Sequence, residues 1–567
     1  MLMLLETVLA LSALLVSVTL PNSGTRFFQR IESCFKRIAR RKVLAVLLVS
    51  ICAVTLRLLV LPVLHIPVPR VDDEYSHLLL ADTLLHGRLA NPTPPMWVHL
   101  EALEVIMRPT YSSVYPPMQG IFLATGRLLS NSPFVGVLLS VAIMCGAIVW
   151  MLQGFMPAEW AFVGGLLAVM HFGVFTYWAD SYMGGAPAAI GGALAVGAFF
   201  RVKRKPGPRN ALILGLGMSM LAHSRPYEGF VLGAFIGISL LYWWLGLRGA
   251  ERRITLFRAF APLLLALLIA GSATSYYFWR VTGHPFLTPY QVVWHTYGMA
   301  PNFLWQPLRP QQEAGLRHDA LAHYFYTWEI QNYLKMRALK SLLEEWGVRA
   351  VISWGFFLGP LLSMPLIVAV LTAPYGFRWN QFEENTKFVL SSIMIMGAAL
   401  AVEVFPYPHY AAPITGPIIA LVVLSIRHLR MQRFRDKLSG RWLSRAIPLL
   451  CVAVLVIRAA AGPLHISLTP SFMPSIYNSD HEKVGGNLVE EQLQTIRGRH
   501  LVMVHYPVGS DDWMGWVHNE ADIDRSRIVW AWDMGPEKNR ELVDFFRGRH
   551  VWMVNAGGSE PALVPYQ

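Results

Sequence analysis

The stretch RVDDEYSHLLLADTLLHGRL, residues 70–89, opens with three consecutive carboxylates, Asp72, Asp73 and Glu74, and continues as an apolar run with helix-like spacing. Just before it, residues 43–65 form an apolar run long enough to cross a bilayer, which takes roughly 20 residues. The carboxylates therefore land at a membrane surface. Further candidate spans lie at 3–20, 114–130, 133–153, 159–178, 184–200, 210–223, 229–247, 258–278, 349–373, 386–404, 410–426 and 446–462. The sequence thus predicts an α-helical multi-pass membrane protein of about 11–13 transmembrane helices. The first segment has no basic stretch before it and no small-residue cleavage site before PNSG, so it reads as an extra span or a misplaced start rather than a signal peptide.

Composition agrees. Of 567 residues, 54% are hydrophobic and only 15% charged, against roughly 25% charged in soluble domains. Mean hydropathy is +0.41. The net charge of +13 suggests no nucleic-acid partner, because the basic residues sit in short loops between apolar runs, where they orient the chain. Cys34, Cys52, Cys145 and Cys451 lie in or beside apolar segments without paired spacing and read as small apolar residues.

Four Lys/Arg clusters, at 26–42, 201–209, 248–258 and 427–445, are cytoplasmic by the positive-inside rule. The acidic stretch, the long loop 280–348, the short loop 405–413 and everything after about 463 then face outward. This leaves a conflict of parity. Four candidate spans separate the acidic loop from the cluster at 201, where an odd number is required, so one of them is short, re-entrant or merged with its neighbour.

The chain divides into an N-terminal span and basic segment (1–42), a transmembrane domain (43–462) and a tail (463–567). In the tail, HLVMVHY (500–506), RIVWAWD (527–533) and HVWMVNA (550–556) alternate with helix-like stretches at 482–497 and 536–547. Strand, helix, strand at this spacing predicts a small α/β domain with a partly parallel sheet.

The triple acid admits a plain reading, since carboxylates favour the positive end of a helix. Its place at the interface, where a lipid-borne substrate presents its head group, admits a chemical one. Here the sequence resembles a family. Asp73-Glu74-Tyr75, then LLADTLLHGRL, then Tyr115-Pro116-Pro117 resemble the membrane glycosyltransferases of the GT-C fold: the protein O-mannosyltransferases, the lipid A aminoarabinose transferases and the RgtA/B/C/D-like bacterial enzymes. The resemblance includes YWADSY (177–182), SRPYEG (224–229), TGHPFLTPY (282–290) and PHYAAPITGPI (408–418), and leaves out the tail.

The resemblance implies transfer of a sugar from a polyprenyl-phosphate donor to a glycan, lipid or protein acceptor, at the extracytoplasmic face of a bacterial inner membrane. Asp73 matches the family's catalytic Asp as general base, with Asp72 the alternative and Glu74 a supporting carboxylate. No cofactor is certain, although the oxygens of Asp73 and Glu74 suit a divalent cation. Candidate phosphate or donor ligands are Arg225, Arg108, His409, Tyr410 and Tyr115. His409 stands where relatives often carry Arg, and a neutral imidazole is a weaker anion partner. Asp180 and Tyr75 are candidates for sugar or acceptor binding. Arg57, inside a span, reads better as half of a structural pair or a snorkelling side chain. The rival reading is a transporter or flippase of lipid-linked or small solutes, or a non-catalytic lipid-binding relative. A transporter predicts internal repeats with broken helices meeting at the midplane, and no self-similarity between halves is evident.

Overall fold

The computed structural model describes the chain apart from residues 311–315, 373–378, 434–438, 467, 469–484, 508–515, 557–560 and 567. Among the described residues, eight helices are long and apolar enough to cross a membrane: Leu2–Thr19, Lys42–Leu59, Pro133–Leu152, Ala186–Arg204, Pro226–Gly246, Gly249–Thr282, Pro408–Met431 and Ser439–Ala461. A ninth is formed if Leu339–Phe357 and Gly359–Leu371, bent by 97°, are one span. The bend has a local cause: Gly359 adopts φ 58°, a conformation open to glycine, and Pro360 opens the second helix. The chain is a multi-pass helical membrane protein.

The count is lower than the 11–13 that hydropathy suggests, because apolar runs at 114–130, 159–178 and 210–223 form helices of only 13, 15 and 15 residues (Met118–Ser130, Ala158–Phe172, Pro208–Ala222). Each is shorter than the roughly 20 residues that span a bilayer unaided, yet the latter two still run between the basic and acidic ends, from Gln153 to Tyr182 and from Arg201 to His223. Glu384–Ala401 has 18 residues but begins with a charged turn.

The loop charges sort to the two ends of the bundle. At one end Gln153 Nε2 donates to the Lys42 carbonyl (3.1 Å), Arg201 Nη2 to the Trp150 carbonyl (2.5 Å), and Arg445 and Arg430 both reach Glu32 (2.9 and 2.8 Å). This is the basic end. At the other lie Asp72–Glu74, Tyr115 and Arg225. The geometry resolves the parity conflict. Helix Met118–Ser130 starts at the acidic end, where the Met118 amide donates to the His223 carbonyl (3.0 Å), and finishes near it, where Arg127 meets Asp82 (3.1 Å). The next helix begins beside it, with Phe134 under Arg57 (5.0 Å), and runs to the basic end. The segment 114–130 therefore does not cross. Its return is tight because glycines meet: a Cβ on Gly136 would collide with the Phe122 carbonyl, and one on Gly126 with the Gly136 amide.

The tail carries a four-stranded sheet in the order Ile528–Trp532, His500–His505, His550–Asn555, Val564–Pro565, the first three parallel and the last antiparallel. Helices Gly485–Thr495 and Pro536–Phe545 accompany it. The start of the first expected helix, 482–484, lies outside the described residues. Both faces of the sheet are apolar, as expected of parallel strands. Leu501, Met503 and Val529 pack on Leu79, Leu100, Val105 and Tyr111 of the first loop region. Val502, Val504 and Trp530 pack with Tyr297, Leu321 and Phe325 of the long loop 280–348. The sheet is thus wedged between the two loops that flank the acidic stretch.

Candidate functional site

Helix Asp72–Leu85 begins directly after the turn at Val71, with its three acids in the first turn, where the helix dipole favours them. Asp73 is half-buried, and Tyr115 donates its hydroxyl to Asp73 Oδ1 at 2.5 Å. Tyr115 is itself held on every side. Its ring lies 4.5 Å from His77 and 6.0 Å from Tyr290, its amide donates to Ser113 Oγ (3.1 Å), and its carbonyl accepts from Tyr277 (3.3 Å). Pro116 and Pro117, which follow it, restrict the backbone at the point where the next helix starts.

Arg225 stands at the start of helix Pro226–Gly246, with its guanidinium 4.0 Å over the Tyr410 ring. Among the described residues it forms no ion pair, although Glu228 lies within its electrostatic reach. Its charge is also felt at Asp73, His77 and Tyr290. Four side chains singled out in the sequence, Asp73, Tyr115, Arg225 and Tyr410, thus come from four separate segments to one place.

Other candidates are engaged elsewhere. Glu74 turns inward, 3% exposed, and accepts backbone amides from Arg70 (3.1 Å) and Tyr182 (2.8 Å) on its two oxygens. Asp72 is buried beside it in the same turn. Asp180 pairs with Arg57 at 2.5 Å deep in the bundle, so the intramembrane arginine has its counter-ion. His409 shares a hydrogen bond with the Tyr177 hydroxyl (2.9 Å), behind Tyr410. Arg108 is exposed on the loop surface, stacked 4.3 Å over Trp97. Tyr75 faces the tail: its ring stacks on His518 at 3.7 Å and its hydroxyl meets Asn487 Oδ1 (3.2 Å).

Glu104 is the residue that sequence reading missed. It sits on the first loop in the left-handed region, φ 56°, an uncommon conformation for a residue with a side chain. Ser76 Oγ (2.6 Å) and the Val114 amide (3.2 Å) hold its carbonyl there. Its carboxyl lies within electrostatic reach of Asp73 and the Tyr115 hydroxyl. In the sequence it is one of two glutamates in EALEVIM, with no spacing that marks it.

Burial raises the Asp73 carboxyl above its ordinary value, against the hydrogen bond from Tyr115 and the Arg225 charge. Burial, then the charges of Asp73 and Asp72, pushes Glu104 up to about 8. Glu74 rises to about 7, chiefly by burial. His77 falls to about 3, by burial and then Arg225, so its imidazole is neutral. At about 8, Glu104 keeps its proton near neutral pH.

With this geometry in view, a comparison with solved structures decides the architecture. The chain superposes on ArnT from Cupriavidus metallidurans in the apo state with a TM-score of 0.50 over 90% of this chain and 92% of that one, at 11% identity. The fold is GT-C. Weaker likenesses accompany the GT-C match. One is the archaeal oligosaccharyltransferase AglB from Archaeoglobus fulgidus, in complex with an inhibitory peptide and a dolichol-phosphate (TM-score 0.44, 11% identity, 91% of this chain, 69% of that one). Another is the arabinofuranosyltransferase AftD from Mycobacteria (0.38, 12%, 89%), of which the chain spans only 35%. No family model and no curated protein sequence matches the chain. In the GT-C frame the Asp73 cluster lies at the acidic end of the bundle, under the tail sheet.

A divalent cation shared by Asp73 and Glu74 does not fit. The two oxygens of Glu74 are taken by backbone amides, and Asp73 faces Tyr115 instead. Among the described residues, no three His, Cys, Asp or Glu side chains converge in a metal-holding group.

Proposed function

We propose that this chain is a glycosyltransferase that moves a sugar from a polyprenyl-phosphate donor to an acceptor hydroxyl at the extracytoplasmic face of a bacterial inner membrane. The observation that carries the reading is the juxtaposition, at one end of a GT-C bundle, of the half-buried Asp73 on Tyr115 with Arg225, a cation without an ion-pair partner among the described residues. Asp73 takes the proton of the acceptor hydroxyl. The acceptor oxygen then attacks the anomeric carbon as the bond to the phosphate oxygen breaks. Arg225 stabilises the charge that grows on the departing phosphate, with Tyr410 beneath it fixing the guanidinium plane. Tyr115 orients Asp73, and Glu104 holds the neighbouring proton.

The basic end is then cytoplasmic, and the tail covers the site from outside. In this reading Glu74 shapes the backbone under the site, and Asp180 serves as the counter-ion of Arg57. The test is transfer from labelled polyprenyl-phosphate sugars by the purified protein. Wild type is expected to consume the donor, and a folded Asp73→Asn variant to lose that activity. Equal activity in both would remove Asp73 as the base. Retention of carrier lipid without turnover of any donor would remove the enzyme reading.

A further inference from the structure

Beside the Asp73–Tyr115 pair lies a small cavity with a volume of about 20 Å³. Tyr115 and Arg225 both line it, so it adjoins the base and the cation of the proposed reaction. His77, Gln119 and Ser224 line it too, and each leaves one buried polar atom without a hydrogen bond among the described residues: His77 Nδ1, Gln119 Oε1 and Ser224 Oγ. His77 and Gln119 are each only 7% exposed. Buried polar groups are normally paired, so three orphans around one small space point to a polar occupant.

The pattern of donors and acceptors narrows that occupant. Gln119 Nε2 donates to the Tyr182 carbonyl (2.9 Å), which fixes the amide and leaves Oε1 as an acceptor. Ser224 Oγ donates or accepts, and the neutral His77 imidazole offers Nδ1 in either role. A hydroxyl, which gives one hydrogen bond and accepts others, satisfies all three. A phosphodiester oxygen has no proton to give and would meet Gln119 Oε1 with like partial charge. Size agrees, since one water-sized group takes roughly 10–15 Å³. Gly184 and Gly185 keep the space open with φ 93° and 107°, and a Cβ on Gly184 would stand 3.2 Å from Gln119 Oε1.

We infer that this pocket receives the 2-hydroxyl of the donor sugar, so that the chain takes donors with a free 2-hydroxyl and rejects 2-deoxy and 2-acetamido ones. The inference rests on the glycosyltransferase reading above. In that reading the anomeric carbon reacts between Asp73 and Arg225. The hydroxyl on the adjoining carbon, C2, is the one nearest a cavity that shares Tyr115 and Arg225 with the site. Hydrogen bonds to a 2-hydroxyl also strengthen as the anomeric carbon becomes oxocarbenium-like, which makes this a productive place for them. An acetamido group is too large for the space.

The test is kcat/KM of the purified full-length protein for polyprenyl-phosphate sugars that differ only at C2: hydroxyl, deoxy and acetamido. Wild type is expected to prefer the 2-hydroxy over the 2-deoxy donor by on the order of 10⁴-fold, as a site built to hydrogen-bond a hydroxyl does, and to leave the 2-acetamido donor unused. Ser224→Ala, whose hydroxyl has no partner to lose among the described residues, should narrow that preference roughly ten-fold, because the loss falls on the 2-hydroxy donor. A merely structural role for Ser224 would slow both donors alike. Equal kcat/KM for the 2-hydroxy and 2-deoxy donors, turnover of the 2-acetamido donor, or a preference untouched by Ser224→Ala would overturn this inference and leave the glycosyltransferase reading in place. No transfer from any donor would remove both. A density map with a non-transferable phosphonate donor separates the sugar from a trapped water. The 2-hydroxyl is expected within hydrogen-bond distance of Gln119 Oε1, and a water held there instead would overturn the inference.

Discussion

Replacing Asp180 by Ala leaves the Arg57 guanidinium charged inside the bundle. The two side chains are 1% and 0% exposed and meet at 2.5 Å, so neither has access to water when its partner is lost. Removing one member of such a buried pair costs about 3–5 kcal/mol, because the remaining charge is uncompensated. Arg57 keeps hydrogen bonds to the carbonyls of Ala179 (3.2 Å) and His65 (3.0 Å), which places the expected loss near the lower figure, about 3 kcal/mol. Arg57→Met combined with Asp180→Leu removes both charges and should restore most of that stability, since apolar replacement of a whole buried pair is often neutral or better. The assay is the thermal unfolding midpoint in detergent, followed by sugar transfer for each folded variant. The single variant should unfold at lower temperature, and the double variant should be stable and active. An unchanged midpoint in Asp180→Ala would refute the burial argument. A stable but inactive double variant would return Asp180 to a role on sugar or acceptor.

Other outcomes follow from the same geometry. Glu104, raised to about 8, contributes stability that is fully present below its unfolded value of 4.5 and is lost as pH rises through about 8. Glu104→Gln should therefore raise the unfolding midpoint over wild type more at about pH 9 than at about pH 6; an equal difference at both would contradict the shift. Arg225→Ala should lower transfer kcat/KM by about 10²–10³-fold, the usual effect of removing one transition-state donor, with Arg225→Lys recovering only part because a point charge replaces a planar fork. Tyr75→Ala removes the stack on His518 and the contact with Asn487, worth about 1 kcal/mol, and should speed limited proteolysis of the tail roughly five-fold; unchanged cleavage would show that Tyr75 does not hold it.

What the sequence determined by itself was whatever depends on local composition. The apolar runs and loop charges specify a multi-pass helical protein with one basic and one acidic end, because span length and Lys/Arg placement are properties of contiguous segments. The strand–helix–strand rhythm of the tail was legible for the same reason, as period and turn spacing are local. So was the interest of Asp73, Tyr115, Arg225 and Tyr410, each within a recognisable motif. Tertiary structure decided the rest. Hydropathy could not show that the segment 114–130 turns back, because a short helix pinned by His223 and Asp82 has the same apolar composition as one that crosses. Nor could sequence rank the carboxylates. Asp72, Asp73 and Glu74 are adjacent, but successive residues of a helix point about 100° apart, so Glu74 meets backbone amides while Asp73 meets Tyr115. Asp180 found Arg57 across 123 residues of chain, and Glu104 joined the site through a left-handed turn without any sequence mark. Burial, charge pairing and proton placement depend on which segments come together in space, and the packing of the bundle with its tail sets that.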